Sequence, residues 1–101
     1  MIEITVTCKN QAEADTIAAV LLQQRLIACA NSFSVRSVYR WQGKIKRSRE
    51  VLIIMKTVSA RVKSVKKIIF KLHSYRLPVI TITNKSSTPE VEAWVQKATY
   101  N

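Results

Sequence analysis

Three side chains carry most of the chemistry on offer: the thiols of Cys8 and Cys29, and the imidazole of His73, the only histidine in 101 residues. A thiolate and an imidazole together suit a soft metal such as Cu(I). Cys8 and His73 are therefore the candidate metal ligands, provided the fold brings them together. The two cysteines lack the close paired spacing of a structural zinc site and are too few for a disulfide framework, so both are expected as reduced thiols. A plainer reading stands beside this one. A histidine at a helix C-terminus can simply satisfy terminal carbonyls, and a cysteine at a strand end can fill core space. Cys29 is expected to be buried. No Ser/His/acid arrangement, glycine-rich phosphate loop or metal-hydrolase motif is present, and no carboxylate lies near His73 in sequence. No catalytic residue is assigned and no enzymatic reaction is expected.

Charge is the second chemical signal. Seventeen Lys and Arg face six Asp and Glu, a formal +11 with a pI near 10.2. Such a field attracts polyanions, so nucleic acid, an anionic membrane surface and phosphorylated ligands are the partner classes it admits. Lys44, Lys46, Arg47 and Arg49 form one basic group and Lys63, Lys66, Lys67 and Lys71 another. Tyr39 and Trp41 lie close enough to the first group to stack bases.

The elements that must position these groups follow from periodicity. Ile2, Ile4 and Val6 alternate with polar residues up to Cys8, as in a half-buried strand. Asn10, with Glu13 three residues on, reads as a capping box. It opens a helix with Ala14, Ile17, Ala18, Leu21 and Leu22 on one stripe, ending near Arg25. A long strand from Ala28 to Trp41 sets Phe33, Val35, Tyr39 and Trp41 on one face, and Gln42-Gly43 is the turn. The return strand runs from Lys44 to Thr57, its second half apolar enough to be covered on both faces. Ser59 is expected to cap a second helix, with Val62, Val65, Ile69 and Leu72 facing the core, that stops near His73. A short strand starts at Pro78, and Thr88-Pro89 opens a last helix carrying Val91, Trp94, Val95 and Ala98.

With 48% apolar residues, one Gly and two Pro, the chain reads as a single domain over residues 1–101. The order β-α-β-β-α-β-α is that of an α+β, ferredoxin-like, split βαββαβ antiparallel sheet with an extended β-hairpin and an extra C-terminal helix. Right-handed crossovers then put strand one between strands three and four. Cys8, Gly43 and His73 fall at one end of this topology and Cys29 at the other, so no Cys8–Cys29 disulfide is expected. The first residues already read as a strand, and the longest apolar stretches fall well short of the roughly 20 residues of a membrane span. The expectation is a cytoplasmic protein with no membrane partner.

Thr7-Cys8, the run Arg25-Leu26-Ile27-Ala28-Cys29-Ala30-Asn31, the hairpin Tyr39-Arg40-Trp41-Gln42-Gly43-Lys44-Ile45 and His73-Ser74-Tyr75 followed by Pro78 resemble, in this order and spacing, the CutA divalent-cation tolerance family. Glu92-Ala93-Trp94-Val95 is similar to that family's terminal helix. The resemblance covers almost the whole chain. It implies a ferredoxin-like homotrimer with hairpins packed around the threefold axis, and an association with copper or another divalent metal, with no obligatory cofactor. Phe33, Val35, Tyr39 and Trp41 would then be trimer contacts. A long hairpin would otherwise leave these residues and an unpaired strand edge in water, unless Trp41 packs back on its own domain. Cys8, His73 and Tyr75 would lie near a cleft between subunits, lined also by Lys9 and Arg76. Family members often carry proline where this chain has Lys9 and Ser74, an acidic residue where it has Val79, and glutamate-rich hairpins where it has Lys44, Lys46, Arg47 and Arg49. Carboxylate capture of a hard divalent cation is not expected of such a hairpin, whereas small anions in the clefts are.

Overall fold

The computed structural model describes residues 1–100. The elements are β1 (Ile2–Cys8), α1 (Gln11–Gln23), β2 (Cys29–Trp41), β3 (Lys44–Thr57), a 3-10 turn (Ser59–Arg61), α2 (Val62–Leu72), β4 (Ile80–Asn84) and α3 (Pro89–Ala98). The sheet order is β2-β3-β1-β4, antiparallel at each pairing, with β1 central between β3 and β4. This is the expected ferredoxin-like α+β arrangement with an added C-terminal helix.

Alternation on β1 sends Ile4, Val6 and Cys8 inward, each fully buried, across from Met55, Ile53 and Val51 of β3. Ala14, Ile17 and Leu21 of α1 and Val65 and Ile69 of α2 close over them to form the core. The outward residues Leu52 and Ile54 are half-buried, so β3 is fully covered on the helix side only. Asn10 Oδ1 accepts the Glu13 N–H at 2.9 Å, as a helix N-cap should. The other half of the expected capping box goes elsewhere, because the Glu13 carboxylate accepts from Lys9 N–H instead of Asn10 N–H. Ser59 is no side-chain cap: it starts the 3-10 turn, and α2 begins only at Val62. Pro78 precedes β4 rather than opening it.

β2 and β3 pair from Cys29↔Lys56 to Trp41↔Lys44, and their outer half extends beyond the end of β1. The connecting residues Gln42 and Gly43 both have positive φ, 53° and 77°. That is the geometry a two-residue hairpin turn needs if its twist is to match the strands. Cys29 sits at the far end of the sheet from Cys8, half-buried rather than buried, and both cysteines are free. Gly43 shares the Cys8 end only in direction. Val51, the partner of Cys8, lies eight positions further along the chain, or roughly 26 Å at strand rise.

Candidate metal centre

Three elements converge at the end of β1. Cys8 is its last residue, Glu13 lies in the first turn of α1, and His73 caps the C-terminus of α2. Their ligand atoms, the Cys8 Sγ, a Glu13 carboxylate oxygen and an imidazole nitrogen, lie within 4.8 Å of one another. Cys8 is fully buried, and the His73 side chain is shielded from solvent.

Hydrogen bonds fix the imidazole. Nε2 lies 2.8 Å from the Thr7 carbonyl, which can only accept, so Nε2 carries the hydrogen. Nδ1 accepts the Tyr75 N–H at 3.0 Å and lies 3.7 Å from Glu13 Oε1. Glu13 is itself a junction: one oxygen accepts from Lys9 N–H at 3.3 Å and the other from Ser74 N–H at 3.1 Å. Burial by itself would raise the Glu13 carboxyl, but hydrogen bonds from the Ser74 side chain, the Lys9 N–H and the Ser74 N–H together hold it below its ordinary value. Cys8 behaves oppositely. Burial, reinforced by the negative charges of Glu13 and Glu50, pushes its thiol up to about 12. Tyr75 donates its hydroxyl to Glu50 Oε2 at 2.7 Å, and burial together with that carboxylate raises the phenol well above its usual range.

Thiolate, imidazole and carboxylate are the donor types of a soft or borderline cation site. The trio fits such an ion provided Cys8 gives up its proton and Nδ1 releases the Tyr75 N–H. Proton release on loading is the general behaviour of thiolate sites.

The structure brings Cys8 and His73 together, as the sequence suggested, and adds two carboxylates that sequence reasoning missed. Glu13 was legible only as a cap. Its helix starts directly after the Cys8 strand, which was a usable sign that the two meet. Glu50 gave no sign, because its meeting with Tyr75 depends on the loop after α2 crossing the end of the sheet. Lys9 lines a shallow groove with Asn10, Ala12, Glu13, Thr16 and Leu72 beside the trio, Tyr75 is half-buried next to His73, and Arg76 is exposed. Phe33, Val35, Tyr39 and Trp41 do share one face of the hairpin, and the Phe33, Tyr39 and Trp41 side chains are exposed at 49%, 42% and 39%. Lys63, Lys66, Lys67 and Lys71 all lie on the exposed side of α2.

The model of the family described as CutA1 divalent ion tolerance protein matches residues 2–98. The chain belongs to the CutA1 family. The divalent-cation tolerance protein CutA of Thermotoga maritima is 35% identical over 99 residues, covering 97% of this chain and 98% of that protein. Mouse protein CutA is 34% identical over 96 residues, 93% of this chain, but the chain spans only about half (54%) of the mouse protein's length. Among solved structures, CutA1 from Pyrococcus horikoshii OT3 superposes with a TM-score of 0.96 at 33% identity, covering 100% of both chains. The Archaeoglobus fulgidus CutA, described as a periplasmic divalent cation tolerance protein, superposes at 0.95 with 31% identity, covering 99% of this chain and 100% of that one. The Thermotoga and Archaeoglobus proteins are named for divalent-cation tolerance.

Proposed function

We propose that this CutA1 family member is a non-catalytic metal-tolerance protein that takes up copper, or another thiophilic divalent metal, at Cys8, Glu13 and His73, and that it works as a homotrimer. The observation that carries the metal reading is the convergence of three chemically different ligand atoms within 4.8 Å at a buried position. The Thr7 carbonyl holds Nε2–H and fixes the ring, so Nδ1, once it gives up the Tyr75 N–H, is the nitrogen left to meet an ion. A reducing compartment such as the cytoplasm would keep both Cu(I) and the thiol in the required state.

The trimer reading rests on the hairpin. β2 is an edge strand of 13 residues whose outer backbone groups have no partner strand, and three large aromatic side chains stand exposed on one face. A neighbouring copy would cover both. The Ser48 hydroxyl, buried on that same face without a hydrogen-bond partner, is a polar group that a neighbour would also complete.

Titration with Cu(I) under reducing conditions tests the site. Wild type is expected to bind one ion per chain, with loss of about tenfold or more in affinity for His73→Ala and Cys8→Ser. Equal binding by all three proteins, or none by the wild type, would sink the metal reading. Light scattering tests the assembly independently, and a particle of one chain's mass at working concentration would reject the trimer.

A further inference from the structure

The register of the hairpin sorts its cations by type. Paired residues share a face, so Arg36↔Arg49, Val38↔Arg47 and Arg40↔Ile45 stand on one side, while Tyr39↔Lys46 and Trp41↔Lys44 stand on the other. The lysines accompany the aromatic residues, and the arginines have a face of their own.

On that arginine face Arg36 and Arg49 are paired directly across from each other, and like charges so placed repel unless something negative lies between them. Arg47 is two residues along the strand from Arg49, on the same side. No carboxylate relieves the cluster: among the described residues the carboxylates that meet a cationic group or the imidazole are Glu92, on the Met1 amine, and Glu13, beside His73. Glu50, the acidic residue next to Arg49, is turned to the opposite face and held by Tyr75. An open groove of about 420 Å³ at this part of the hairpin is lined by Arg36, Val38, Arg47 and Arg49, with the Ser37↔Ser48 pair, whose side chains belong to the other face, completing the lining. Guanidinium groups are planar forks that match the oxygens of phosphate two at a time, which lysine ammonium groups cannot do.

We propose that Arg36, Arg47 and Arg49 form a binding site for phosphate-class oxyanions on the hairpin face opposite the aromatic one. The site is separate from the Cys8–Glu13–His73 centre and does not depend on it. Its ligand is either a free phosphorylated compound or the backbone of a nucleic acid, since the chemistry read by the arginines is the same.

Calorimetric titration with inorganic triphosphate and with a short single-stranded oligonucleotide separates the two sources, using wild type, Arg36→Gln/Arg49→Gln, and Lys66→Gln/Lys67→Gln. The last removes the same charge from exposed α2. The expected result is a loss of about tenfold or more for the arginine variant and less than about twofold for the lysine variant, with Arg36→Lys/Arg49→Lys recovering only part of the affinity. Tighter triphosphate binding would identify a small ligand, and tighter oligonucleotide binding with a steeper salt slope would identify a backbone; either outcome supports the site. Triphosphate should also raise the melting temperature of wild type more than that of the arginine variant, whose fold gains from relieved repulsion. Equal loss in the arginine and lysine variants would mean attraction by overall charge alone, and that result, or no binding by wild type, overturns the proposal.

Discussion

His73 is held at both ring nitrogens, by a carbonyl from β1 and by an N–H from the loop after α2, so it fastens that loop across the end of the sheet whether or not a metal is present. Glu13 fastens the same loop from α1 through Ser74. Its carboxyl lies below the ordinary value in the folded state, which makes the sign of the pH effect definite. The contribution is present when the unfolded carboxyl is also ionised, at neutral pH, and is lost as pH falls through the depressed folded value. Glu13→Gln should therefore cost about 1 kcal/mol at pH 7 and progressively less in acid. Urea unfolding of both proteins across the acid range checks this, and a constant difference at every pH would show that the charge of Glu13 is not what stabilises the loop.

At the scale of elements, the hairpin turn gives the cleanest expectation. Gly43 has a φ of +77°, and a Cβ added there would meet nothing within 4 Å. The penalty for Gly43→Ala is then purely conformational, about 1 kcal/mol. Gln42, with φ of 53°, should gain a few tenths from Gln42→Asn, because asparagine tolerates this region better. Chemical denaturation measures both, and a neutral Gly43→Ala would mean that the turn relaxes to another type. Elements of this kind were readable beforehand. Alternation delimits β1 and β3, Asn10 and Thr88 mark true helix starts, and a two-residue turn fixes the register of everything paired across it. Ser59 misled because it lies inside a 3-10 turn that precedes α2, with Val58 at the cap position and no side-chain cap hydrogen bond. Glu50 was invisible for a different reason. It meets Tyr75, 25 positions away, through a loop crossing the end of the sheet, a contact that leaves no local pattern. The sorting of hairpin arginines from lysines was implicit in the turn, but emerges only once each residue is paired with its opposite number.

For the whole molecule, a formal +11 on 101 residues sets the energetics of any meeting between copies. Like-charged chains repel over a range of about 10 Å at 0.1 M salt, and the range shrinks as salt is added. Association should therefore tighten with ionic strength, opposite to an interface built on ion pairs. Sedimentation at low and high salt measures this, and a trimer that falls apart in high salt would point to a polar interface instead.

The unpaired border of β2 gives that charge a second meaning. A naked strand of this length invites endless side-by-side stacking, the first step towards a fibre, and basic residues along a sheet rim are a familiar deterrent. The hairpin's cations would then act as a fence, letting a neighbour dock only where its aromatic face is satisfied. A chain stripped of them would lose its restraint before it lost its fold.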